Sequence, residues 1–175
     1  MKKKRRVLCM VLAVMLCLGM NPMGAMAAET VGADVMEMIR SDGLSLDIAD
    51  ENVFGGLYDL EANGNAREVM LTNCAIRMAY VDSTYLHMEF VTGSNAEATQ
   101  IGVKDIEVQE KNGIFWNTIA TSAGGSATDT YAFSGSCNSY TVELGKTYRV
   151  CCTHYAYING SYLFLDNVTD GHKFS

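Results

Sequence analysis

"TYRVCCTHYAYINGSYLFLDNV", Thr147 to Val168, is the stretch whose reading decides the fold. Two runs rich in apolar and aromatic residues flank Asn159-Gly160. That dipeptide is the strongest short signal for a two-residue type I′ hairpin turn, because both residues tolerate positive φ. With those two residues as the loop, the pairing follows by counting outward. Ile158 faces Ser161, Tyr157 faces Tyr162, Ala156 faces Leu163, Tyr155 faces Phe164, His154 faces Leu165 and Thr153 faces Asp166. Side chains alternate between the two faces of a strand. One face therefore carries Val150, Cys152, His154, Ala156, Ile158, Leu163 and Leu165. The other carries Arg149, Cys151, Thr153, Tyr155, Tyr157, Tyr162, Phe164 and Asp166.

The residues just upstream say which face points inward. In "VELGKTYRV" Val142 and Leu144 end one strand, Gly145 bends the chain, and Tyr148 and Val150 begin the next. This spacing resembles the tyrosine corner of immunoglobulin-like and fibronectin type III-like sandwiches, in which the phenol hydrogen-bonds nearby backbone. Tyr148 and Val150 then belong to the core, and the aromatic face of the hairpin lies outside.

Working outward, a period of two begins near Leu71. Cys74, Ile76 and Met78 share a face, as do Leu86, Met88 and Phe90, against Tyr85, His87 and Glu89. Ile106 and Val108 alternate with Glu107 and Gln109, with an irregularity expected at Lys104-Asp105. Lys111-Asn112-Gly113 is a turn, and Gly124-Gly125 reads as a loop. Such short strands between turn signals predict an all-β fold, an immunoglobulin-like antiparallel sandwich of about seven to eight strands over residues 71–175.

Residues 28–70 differ. They are acidic, and Val31, Val35, Met38 and Ile39 fall on one face of a short helix that Gly43 would stop. Asp59, Glu61, Asn63 and Gly64 imitate the first half of a calcium loop. Met70 stands where the bidentate glutamate should close the shell, so the stretch reads as a turn in an acidic spacer.

The N-terminus opens with a basic run, Lys2 to Arg6, then an apolar run from Val7 to Met20, then Ala25-Met26-Ala27. These are the regions of a secretory signal peptide, 1–27, cleaved after Ala27. Five of the 13 basic residues lie before Ala28 and all 20 acidic residues after it, so the mature chain would carry a net charge of −12. Such a surface disfavours nucleic acid and anionic membranes, which are bound through clustered Lys and Arg. The expected location is extracellular or in the cell envelope, with no membrane insertion of the mature chain.

Cys74, Cys137, Cys151 and Cys152 remain in the mature chain. An even count in an exported protein points to disulfides. Parity puts Cys74 and Cys152 in the core and Cys137 and Cys151 nearer the surface, favouring Cys74–Cys152 over Cys74–Cys151. No Cys-x-x-Cys occurs, His87, His154 and His172 lack ligand spacing, and no metal or cofactor is expected. Cys152 and His154 share a face, but their Cα atoms are about 7 Å apart by strand rise, long for a nucleophile pair. They read as core residues.

"IGVKDIEVQEKNGIFWNTIAT", "LGKTYRVCCTHYAYING" and "NVTDG" together resemble a family of small exported β-sandwich domains encoded by Gram-positive gut anaerobes. The resemblance runs from about Asn73 to the C-terminus. It implies a sandwich and export, and it carries no established function and no catalytic residues. The four cysteines depart from its pattern, which has few.

No catalytic motif is present. The reading is a secreted, non-catalytic module that binds an extracellular protein or glycan through Tyr155, Tyr157, Tyr162 and Phe164, with Asp166 and Arg149 orienting a polar ligand. A small extracellular enzyme with an unrecognised site and a purely structural envelope protein are the alternatives. The patch could instead be covered by Val31, Val35, Met38 and Ile39 of the acidic segment.

Overall fold

The computed structural model describes residues 33–47, 53–59, 69–81 and 83–175. Residues 1–27, where a signal peptide is expected, and most of the calcium-like loop, Glu61 to Gly64, lie outside the described residues. Ala33–Ser175 is one compact unit.

The described residues contain eleven strands and no helix. They are β1 (Asp34–Val35), β2 (Ile39–Arg40), β3 (Val53–Asp59), β4 (Leu71–Val81), β5 (Tyr85–Ala98), β6 (Gln100–Asn112), β7 (Phe115–Ala127), β8 (Thr130–Ser139), β9 (Thr147–Ile158), β10 (Ser161–Val168) and β11 (His172–Lys173). One sheet runs β1-β7-β6-β9-β10, with β11 also on β9; the other runs β2-β8-β5-β4-β3. Setting β4, β5, β6, β7, β8, β9 and β10 as strands A, B, C, C′, E, F and G gives sheets ABE and C′CFG, an immunoglobulin-type arrangement. The remaining strands lengthen the edges, and the β1–β7 pair is parallel.

Apolar alternation builds the core. Cys74, Ile76, Met78, Leu86, Met88 and Phe90 of one sheet meet Ile101, Val103, Ile106, Val108, Val150, Ala156 and Ile158 of the other, all buried. In β6 the buried positions switch from odd to even between Val103 and Ile106. A bulge there shifts the pairing with β9 between Lys104 and Glu107, and Asp105 takes φ 53°. This is the irregularity expected from sequence, and it keeps both halves of β6 facing the core. The tyrosine corner is present. Tyr148 is fully buried, and its hydroxyl accepts a hydrogen bond from the Glu143 backbone N–H at 2.8 Å.

Three expectations are corrected. Gly124-Gly125 is part of β7, paired with Val103 and Lys104 of β6. A Cβ on Gly124 would lie 2.0 Å from the Val103 carbonyl oxygen, so glycine here serves close strand approach. The expected helix is absent, because residues 33–47 form an extended strap. Met36 is buried and Met38 half-buried, while Val35 is 81% and Ile39 60% exposed. The period is two, and Met38 fills the space left by the missing side chains of Gly125 and Gly135. The strap pairs β1 with β7 and β2 with β8. It then crosses the outer face of the second sheet, where Glu89 accepts backbone hydrogen bonds from Ser45 and Leu46 at 2.8–2.9 Å and one from the Ser45 hydroxyl. Arg77, the cross-strand neighbour of Glu89, donates to the Leu46 carbonyl. Burial alone would raise the Glu89 carboxyl, but the Ser45 and Leu46 donors, with His87, outweigh it and hold it below the usual range.

The third correction concerns the thiols. All four cysteines are free, and Cys137 is buried rather than near the surface. Cys74 lies on β4 and Cys152 on β9, in opposite sheets. Sharing the core is not enough for a bridge, which requires about 4.4–6.8 Å between Cα atoms and side chains aimed at each other, and these two thiols are not joined.

Candidate binding face

The register of the β9–β10 hairpin is the one counted from Asn159-Gly160, from Ile158↔Ser161 through Thr153↔Asp166. Asn159 and Gly160 take φ 52° and 79°, as a type I′ turn demands. The hairpin therefore carries Tyr155, Tyr157, Tyr162 and Phe164 on the outer face of the first sheet. Their rings touch in sequence. Tyr157 and Tyr162 have centroids 4.8 Å apart, Tyr162 and Phe164 stack at 5.7 Å, and Tyr155 meets both tyrosines at 6.2 Å. Such distances are those of favourable aromatic pairs.

The four differ in exposure, and that divides their roles. Tyr155 is only 9% exposed and is the floor of the cluster, while Tyr157, Tyr162 and Phe164 are 42%, 40% and 61% exposed. Gly102 of β6 lies opposite Tyr155 and presents no side chain beside the ring. The strap lies on the opposite side of the sandwich, at β7 and β8, so Val35, Met38 and Ile39 do not cover the cluster. Val31 lies outside the described residues.

The two polar candidates separate. Asp166 is two residues from Phe164 on β10 and accepts a hydrogen bond from the Thr153 hydroxyl at 2.7 Å. Arg149 is six residues from Tyr155, about 20 Å along the strand. Its guanidinium sits 4.4 Å from the Trp116 ring centroid and donates to Gln109. It belongs to a second cluster at the other end of the sheet.

Two neighbours of the aromatic cluster were not found from sequence. Gln100 donates to the Tyr155 hydroxyl at 3.2 Å. Lys104 pairs with Asp105 at 3.2 Å, and its ammonium is held above the usual range first by Asp105 and also by the Tyr162 phenol. Both lie on β6, which joins β9 across some fifty residues of sequence, so no local signal announces them. Between the two clusters, Asp105, Glu107, Cys151, Thr153 and Asp166 line a shallow acidic depression.

The Cys152–His154 pair lies beneath this face. The thiol reaches His154 Nε2 at 3.5 Å, closer than strand spacing predicted. The Thr92 hydroxyl donates to the Gly102 carbonyl, so it accepts from His154 Nδ1 at 2.7 Å. His154 Nε2 then accepts from Asn167 Nδ2 at 3.2 Å. Burial pushes the imidazole down to about 4 and drives the Cys152 thiol far above its usual range. A buried thiol held neutral is a poor nucleophile, and the pair packs as core structure. Among the described residues no cluster of three or more His, Cys, Asp or Glu side chains is placed to hold a metal ion.

Comparison with protein-family models finds no match to this chain, and comparisons with curated proteins and with solved structures find none either.

Proposed function

We propose that this protein is an exported, non-catalytic binding module that holds an extracellular protein or glycan on the outer face of its first sheet. The observation that carries the reading is the trio Tyr157, Tyr162 and Phe164, each at least 40% exposed, with Tyr162 in ring contact with both of the others on a continuous sheet. Exposed aromatics in contact are costly to leave in water and mark interaction sites. Tyrosine adds a polar tip to a large face with few rotatable bonds, which suits both stacking on sugars and anchoring of a protein. The sheet pre-organises the rings, which lowers the ordering cost of binding. The basic, apolar and small-residue regions of residues 1–27 support export, as does the resemblance to small exported sandwich domains.

The test is Tyr157→Ala with Phe164→Ala, measured for retention on glycan and extracellular-protein arrays and for stability. Binding should fall at least about tenfold, as for truncation of hot-spot aromatics, with a stability change under about 1 kcal/mol, as for exposed positions. A large stability loss with binding unchanged would make the cluster structural.

A further inference from the structure

The aromatic cluster borders an edge, and the backbone there has a definite phase. The Tyr157 carbonyl accepts from the Thr99 N–H at 2.9 Å, so the backbone of Tyr157 points toward β6 and away from β10. Tyr157↔Tyr162 is thus a non-hydrogen-bonded pair of the hairpin, as the second pair beyond a two-residue turn should be. At the other end, the Val150 carbonyl accepts from the Thr169 N–H, which places the even positions of β9 on the β10 side. By alternation, Leu163, Leu165 and Asn167 spend their backbone groups on β9. Tyr162, Phe164, Asp166 and Val168 turn theirs outward, and among the described residues no backbone group bonds to them.

Among the described residues nothing covers this edge, and its one charge is Asp166. Ser161–Val168 is eight residues long, contains no Lys, Arg or Pro, and pairs with β9 without a bulge. Native sheets normally blunt such edges with those devices or cover them. The protein does cover its opposite side, where β1 and β2 of the strap occupy the edges of β7 and β8. An open row of donors and acceptors, flanked on one face by Tyr162 and Phe164, is a template for another strand.

We infer that the ligand of this face is an extended segment of a partner protein that adds to β10 as a further strand, with a basic residue beside Asp166 and an apolar one beside Phe164. The inference rests on the binding role proposed above and selects polypeptide over glycan, because the free groups on the edge are spaced as a strand's own. Charge selects the kind of strand. Asp166 stands on the edge itself, and Asp105 and Glu107 share the depression behind it. A lysine or arginine at that position meets carboxylates, as opposite charges across a strand pair favour. A second copy of this chain pairing through its own β10 would offer Asp166 no Lys or Arg, since Ser161–Val168 contains neither.

The test uses isotope-labelled protein and a synthetic eight-residue peptide that alternates Lys and Thr with Val and Phe. Binding should slow hydrogen exchange at the amides of Tyr162, Phe164 and Asp166 and leave those of Leu163 and Leu165, already bonded to β9, unchanged. The same peptide N-methylated at every second residue on its pairing edge should bind at least about tenfold more weakly, since each lost hydrogen bond is worth about 1 kcal/mol. The peptide carries the change, so the protein's folding is not at issue. Equal binding of the methylated peptide would overturn strand addition while leaving the aromatic platform a binding site. No binding of either peptide would overturn it as well, with the array experiment still deciding the platform's role. Edge amides already slow in the free protein, together with a dimeric mass by light scattering, would give the edge to a second copy and equally overturn it.

Discussion

Acid should weaken this protein through one buried imidazole. His154 is fully buried, and a second proton on its ring would find no good acceptor. Nδ1–H donates to Thr92, whose own hydroxyl donates onward to Gly102. Nε2 accepts from the Asn167 amide and lies 3.5 Å from the Cys152 sulfur, at best a weak acceptor for a proton there. Turning the Asn167 amide to offer its oxygen to a protonated ring would set that oxygen against the Cys74 carbonyl, which Nδ2 now meets at 3.4 Å. Burial lowers the imidazole from 6.5 to about 4. The folded value lies below the unfolded one, so the unfolded chain takes up the proton first as pH falls. Stability is full above about pH 6.5, declines toward pH 4, and levels off below. At about 1.4 kcal/mol per pH unit, this window costs roughly 3 kcal/mol, a large part of a typical domain's ~5–15 kcal/mol. Urea denaturation of the native protein and of His154→Gln at half-unit steps from pH 7.5 to 3.5 measures it. The variant removes the imidazole but leaves the carboxylates, so the difference between the two curves isolates His154. That difference should change by about 3 kcal/mol across the window. A flat difference, or an imidazole seen by NMR to titrate at 6 or above, would refute the reasoning.

Two further outcomes follow from the framework around the aromatic face. Tyr148→Phe leaves the Glu143 N–H without its acceptor at the corner and should cost about 1–2 kcal/mol in chemical denaturation; an unchanged midpoint would mean the corner contributes only packing. Glu89→Gln places an amide donor among the donors of Ser45 and Leu46 and should loosen the strap, costing about 1.5–3 kcal/mol, the worth of charge-assisted hydrogen bonds. Limited proteolysis within Ser41–Asp47 should speed accordingly, and an unchanged cleavage rate would show that strand pairing alone holds the segment.

Local chemistry written in consecutive residues was legible from the start. Asn159-Gly160 dictated the turn, the turn dictated the register, and Tyr148 dictated which face is core. The aromatic cluster and the burial of Cys152 and His154 follow from those few residues, because strand parity propagates without further information, while the bulge at Asp105 was legible separately at Lys104-Asp105, beside the alternation of Ile106 and Val108. What depends on partners distant in the chain was decided only by tertiary structure. Val35 and Ile39 fit a helical face on paper, but a short isolated helix has little to stabilise it, and the open edges of β7 and β8 offer ladder bonds and a slot for Met38. Gly124-Gly125 looks like a loop until the Val103 carbonyl is seen to occupy the space of a side chain. Parity put Cys74 and Cys152 in the core, yet it says nothing of the approach and side-chain direction a bridge needs, and both remain thiols. Arg149 shared a face with the tyrosines by parity, and the length of β9 put it beside Trp116 instead. Alternation assigns a residue to a face; only packing decides where on that face it stands and what lies against it.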